Sequence, residues 1–134
     1  MRSKKDTVPI TVLVVDDSSM MRALIRRALR LSGANVLVAE ASNGREALTV
    51  LETERIDAVV TDLNMPVMSG TELLREMATR DWGHIKRIVV STDGSLARRD
   101  AVRGLLVSRY VQKPFAPEMF REVLSDVCRD QVVN

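Results

Sequence analysis

Apolar and mostly branched residues gather in short runs at 10–15, 36–39, 56–60 and 88–90, with a weaker run at 110–111. Most of these runs are continuously apolar rather than alternating, which is the pattern of strands covered on both faces. The segments between them carry helical spacing instead. Residues 18–31 place Met21, Leu24, Ile25, Ala28 and Leu29 on one side, and Ser32-Gly33 supplies a stop. Residues 44–53 carry Ala47, Leu48 and Leu51, and residues 71–79 carry Leu73, Leu74 and Met77, with Gly70 just outside the start. Residues 95–105 form a shorter segment rich in arginine, and 117–128 carry Met119, Phe120, Val123, Leu124 and Val127. Strand therefore alternates with helix along the whole chain. That order predicts an α/β fold, a parallel sheet with helices on both faces joined by right-handed crossovers. A flavodoxin-like open sheet and a small Rossmann fragment are the two five-stranded solutions. Either would place a site beyond the carboxyl ends of the strands.

Residues 1–9 read as a polar arm ending at Pro9, and residues 10–130 as one domain, with no internal repeat or linker. A chain of 134 residues can bury one core without covalent staples. Aromatic residues make up only 3%, so that core has to be built from Val, Leu, Ile, Ala and Met. The net charge of +2 is too small to argue for nucleic acid. Cys128 is the single cysteine, which excludes an intramolecular disulfide and favours a reducing compartment. No apolar signal core follows the charged first residues, and no segment is long enough to span a bilayer. The expectation is a cytoplasmic domain without membrane contact.

Chemistry-bearing residues collect just past the strands. The first ends in Asp16-Asp17, the third in Asp62, the fourth in Ser91-Thr92 and the fifth in Lys113-Pro114, with no Gly-rich phosphate loop at any of them. Singly, each has an ordinary explanation: a helix cap, a loop acid, a strand-end serine bonded to backbone, a solvated lysine. Jointly they say more. Adjacent acids repel unless something positive lies between them. If the first and third strands are neighbours, three carboxylates converge and call for a cation. Oxygen-only ligands suit Mg²⁺, with Mn²⁺ as an alternative. A carboxylate there can accept a phosphoryl group as an acyl phosphate, and Lys113 would counter the charge of its oxygens. The Lys113-Pro114 bond is a candidate cis peptide, although trans is the general preference.

With these residues in place, the chain resembles the receiver domains of two-component response regulators, most closely the single-domain chemotaxis type. The motifs that carry the resemblance are Val14-Val15-Asp16-Asp17-Ser18, Thr61-Asp62-Leu63-Asn64-Met65-Pro66-Val67-Met68-Ser69-Gly70, Val90-Ser91-Thr92 and Tyr110-Val111-Gln112-Lys113-Pro114-Phe115. They span roughly residues 10–128. The resemblance implies a flavodoxin-like fold of strand order 2-1-3-4-5, an order the family is known for. It implies that Asp62 is the phosphoacceptor and that Mg²⁺ is held by Asp17, by Asp16 largely through water, by Asp62 and by the Asn64 main-chain carbonyl. Lys113 would pair with the phosphoryl group or Asp62. Ser91, with Thr92 beside it, would bind the phosphoryl oxygens, and Tyr110 would turn inward when the Ser91 hydroxyl moves. Asn64 and Asp93 would tune dephosphorylation.

The implied partners are a sensor histidine kinase, of the chemotaxis or another type, and an output protein on the face of the fourth helix, fifth strand and fifth helix. No direct contact with nucleic acid is implied. The expected state is a monomer, with dimerisation on phosphorylation as a further option. Beyond its own phosphotransfer and dephosphorylation the chain would be no enzyme. There are departures from the family pattern. Thr92 stands where a small residue is usual, and Leu106-Val107 where Gly-Ala is frequent. Arg98, Arg99 and Arg103 are expected either as a solvated basic face or as a dock for an acidic partner. A haloacid-dehalogenase-type phosphatase would need a second acid at position 64, which holds Asn64. A flavin carrier would need a neutral phosphate loop in place of Asp16-Asp17. A receiver excised from a longer response regulator or hybrid kinase fits the same motifs.

Overall fold

The computed structural model describes residues 8–132, with side chains through Val127. Most of the polar arm expected at 1–9, and the side chain of Cys128, lie outside the described residues. The order is β1 (Ile10–Val15), α1 (Ser19–Leu31), β2 (Val36–Ala41), α2 (Gly44–Thr53), β3 (Ala58–Thr61), α3 (Gly70–Ala78), β4 (Lys86–Ser91), α4 (Leu96–Ala101), β5 (Val107–Gln112) and α5 (Met119–Val132). The strands form one sheet in the order β2-β1-β3-β4-β5, and every pairing is parallel. This is the flavodoxin-like receiver topology that the resemblance implied.

Successive side chains of a strand point to opposite faces, so the apolar runs divide between two cores. Val12, Val14, Val60, Ile88 and Val90 pack with Ile25 and Leu29 of α1 and Phe120 and Leu124 of α5. Leu13, Val15, Val59 and Val89 pack with Leu51 of α2 and Leu73, Leu74 and Met77 of α3. The rule that a continuous apolar run is covered on both faces holds for β1, β3 and β4. It fails for β2 and β5, because they are the sheet's edges. Leu37 of β2 is exposed, and in β5 Ser108 and Arg109 are exposed beside a register shift against Arg87 and Ile88.

Other boundaries moved for local reasons. β3 begins at Ala58, and the buried Ile56 precedes it rather than starting the strand. α4 ends at Ala101 instead of near 105, because Gly104 at φ 82° and Leu106 at φ 63° take left-handed backbone. Ser18 caps α1 by accepting the Met21 N–H, so neither Asp16 nor Asp17 is needed as the helix cap. A capping box of Ser69 and Glu72 opens α3. The first residue of that helix is Gly70, where a Cβ would stand 1.8 Å from the Asp62 carbonyl oxygen. Only glycine allows α3 to start so close to the end of β3.

Candidate functional site

Backbone bonds align the strand ends before any side chain contributes. Asp16 N–H donates to the Ala41 carbonyl at 3.1 Å, Asp62 N–H to Val15 at 3.0 Å, and Lys113 N–H to Ser91 at 2.7 Å. One oxygen from each of Asp16, Asp17 and Asp62 consequently falls within 4.8 Å of the others. Their settings differ: Asp16 is buried, Asp17 is exposed and Asp62 is intermediate. The convergence expected from adjacency of the first and third strands is therefore present.

Lys113 reaches into the cluster. Its Nζ donates to Asp16 Oδ2 at 3.0 Å and lies 3.7 Å from Asp62 Oδ2. The closer partner is Asp16, not the Asp62 that the family pattern suggests. The Lys113-Pro114 bond is cis. Burial pushes the Asp62 carboxyl above its ordinary range; Lys113 opposes this, Asp16 adds to it by repulsion, and the Leu63 and Asn64 N–H groups oppose it. Three acids against one lysine leave an excess of negative charge, all of it on hard oxygens. That donor set fits Mg²⁺ or Mn²⁺, and Asp16, Asp17 and Asp62 are the side chains that would hold it.

A second group lies along the end of β4. Ser91 is fully buried, and its Oγ accepts the Asp93 N–H at 3.2 Å. The Asp93 carbonyl accepts the Tyr110 O–H, and the Arg99 guanidinium stands 4.7 Å from the Tyr110 ring centroid. Asp93 Oδ1 accepts the Ser95 N–H at 2.9 Å. That bond, with Arg98 nearby, holds the Asp93 carboxyl below its usual range. Thr92 and Asn64 are exposed.

Two participants escape a reading of the sequence. Arg22 Nη1 donates to the Asp16 carbonyl at 2.6 Å, while its Nε bonds Glu40 Oε1 at 3.0 Å. Glu40 also accepts from Arg26 Nη1 at 2.5 Å. A lone acid near the end of a strand, across from arginines of the preceding helix, was the available signal.

Comparison with known proteins agrees with this geometry. Residues 12–125 match the family model described as the response regulator receiver domain. A chemotaxis protein CheY homolog of Campylobacter jejuni is 40% identical over 119 residues, covering 87% of this chain and 90% of that protein. The chemotaxis protein CheY of Pseudomonas aeruginosa is 37% identical over 119 residues, covering 87% of this chain and 94% of that protein. Among solved structures, the chemotaxis response regulator CheY4 of Vibrio cholerae superposes with a TM-score of 0.77 at 29% identity, covering 90% of this chain and 99% of that one.

Proposed function

The chain belongs to the family of response regulator receiver domains, and from that premise we propose that it is a switch phosphorylated on Asp62. The observation that carries this reading is the meeting of Asp16, Asp17 and Asp62 within 4.8 Å, with Lys113 Nζ beside them. An Asp62 oxygen attacks the phosphorus of a phosphohistidine on a sensor histidine kinase. The P–O bond forms as the P–N bond breaks, and the imidazole keeps the electron pair. Mg²⁺, when held by the three aspartates and the Asn64 carbonyl, supplies charge neutralisation for the transfer. Lys113 turns to a phosphoryl oxygen, and Ser91 donates its hydroxyl proton to another. Tyr110 follows through Asp93, which changes the surface of α4, β5 and α5 offered to an output protein. Water later attacks the phosphorus, restoring the carboxylate and releasing inorganic phosphate, with Asn64 and Asp93 flanking its approach.

Chemotaxis-like output is supported by the names of the relatives and by how fully they align. Among the described residues no helix is long and apolar enough to cross a membrane, and the proposed setting is a cytoplasmic monomer. Incubation with phosphoramidate and Mg²⁺ tests the acceptor. One acid-stable, base-labile phosphoryl group per chain is expected, and none in Asp62→Asn. Labelling of that variant at the wild-type rate overturns the assignment.

A further inference from the structure

The three arginines of the α4 region divide by what they touch. Arg103 Nη2 pairs with Asp100 at 2.9 Å, and its side chain is 82% exposed. Arg98 and Arg99 lean back across the switch instead. Arg98 Nε stands 3.5 Å from Asp93 Oδ2, and the Arg99 guanidinium covers the Tyr110 ring at 4.7 Å. Both targets lie on one line of contacts, in which Ser91 Oγ accepts from Asp93 N–H and the Asp93 carbonyl accepts from Tyr110 O–H. None of the six residues of α4 is buried. The buried Val102 that caps its C-terminal end anchors the helix there, and along the helix itself polar tethers matter more than packing.

Resting on the phosphoacceptor reading above, we propose that Arg99 is a positioning residue of the switch. Its guanidinium holds the Tyr110 ring where the phenol O–H bonds Asp93, and thereby biases how readily the phosphoryl site is occupied. A cation over an aromatic face is attracted by the ring's quadrupole. Ser91, accepting from Asp93, still has its own proton to give to a phosphoryl oxygen. The Arg99-held arrangement is thus compatible with phosphorylation. In the proposed switch phosphoryl binding favours that arrangement, so by reciprocity whatever stabilises it also favours phosphoryl binding. The consecutive arginines are in this account a clasp on the switch.

Tyr110 is the only tyrosine of the chain, so 3-fluorotyrosine labelling gives one ¹⁹F signal. The line position would move whenever a nearby charge is removed, so the readout is relaxation dispersion, which reports the population of a second ring position. In the resting full chain Arg99→Ala should raise that population roughly two- to five-fold, the worth of one partly exposed cation–π contact. Arg99→Lys, which keeps a cation, should restore most of the wild-type profile. Beryllofluoride with Mg²⁺, a mimic of the bound phosphoryl group, should deplete the second ring position of Arg99→Ala and bring its dispersion back towards the wild-type profile. A resting dispersion profile of Arg99→Ala equal to wild type overturns the clasp, and an Arg99→Ala profile that beryllofluoride leaves unchanged overturns its coupling to the site. Failure of the wild type to bind beryllofluoride would count against the phosphoacceptor reading instead, and the resting dispersion would still decide the role of Arg99.

Discussion

Replacing Arg87 by methionine should make this protein more stable. Arg87 is 1% exposed and sits on β4 between Val59 of β3 and Val107 of β5. Its Nη2 donates to the Trp82 carbonyl at 3.2 Å, but Nε and Nη1 have no partner among the described residues. Burial holds the guanidinium pKa below its ordinary value, the mark of a charge that solvation no longer supports. Each orphaned buried donor costs about 1–3 kcal/mol. Apolar replacement of buried ionic groups has gained about 1–4 kcal/mol in other proteins. Against this stands one lost charged hydrogen bond of about 1.5–3 kcal/mol. That loss orphans nothing, because the Trp82 carbonyl also accepts the Ile85 N–H at 3.0 Å. Methionine fills a similar unbranched space without polar donors. The net expectation is a gain of about 1–3 kcal/mol, or about 3–5 °C in melting temperature per kcal/mol for a domain of this size. Urea titration should show a higher midpoint at unchanged slope. Arg87→Ala should fall below Arg87→Met, since it leaves a cavity. A midpoint for Arg87→Met that falls or stays put refutes the reasoning and means that the guanidinium is satisfied in solution.

Saturating Mg²⁺ should raise the melting temperature by mass action, and Asp17→Ala should lose that response; a wild type that melts identically with and without the ion refutes the metal site. Partial burial alone would raise the Glu40 carboxyl, but bonds from Arg22 and Arg26 hold it below its ordinary 4.5. Its stabilisation is therefore present above pH 4.5 and lost as pH falls through the lower folded-state value. Wild type should exceed Glu40→Gln in stability at pH 7, with the gap closing towards pH 3, and a gap independent of pH would exclude the ionised contact as its source. Val67 is exposed and takes φ 74°, which a β-branched residue adopts at a cost of about 1–2 kcal/mol; Val67→Asn should recover about 1 kcal/mol in chemical denaturation, and no gain would locate the strain elsewhere. Decay of the acyl phosphate should slow in Asn64→Met and be equal or faster in Thr92→Ala, followed as loss of label after the donor is removed, while wild-type decay in Asn64→Met would rule out side-chain control of water there.

The legible parts of this fold are those that local pattern dictates. β1, β3 and β4 are buried on both faces, so their continuous apolar runs identify them without tertiary knowledge. β2 and β5 are edge strands with exposed positions, so the apolar pattern marks only Tyr110-Val111 within β5. The apolar spacing predicts an α4 longer than the one observed, because Val102 and Leu105 continue it, and both do pack into the core. What stops the helix is left-handed backbone at Gly104 and Leu106. Glycine advertises that conformation in a sequence, whereas leucine hides it.

The candidate site divides along the same line. Which residues meet follows from topology: parallel strands deliver their carboxyl ends to one edge, so Asp16, Asp17, Asp62, Ser91 and Lys113 were identifiable from being next in the chain. Who bonds whom within the cluster does not follow from topology. Lys113 lies 3.0 Å from Asp16 and 3.7 Å from Asp62, and so small a difference in reach is decided by side-chain packing rather than strand order. The same holds for Arg98 and Arg99. Composition shows three basic residues around a short helix, but only geometry separates Arg103, which pairs with Asp100, from the two that rest on Asp93 and Tyr110. A basic patch offers docking charge only to the extent that its own fold has not already used it, and here Arg98 and Arg99 already rest on Asp93 and Tyr110.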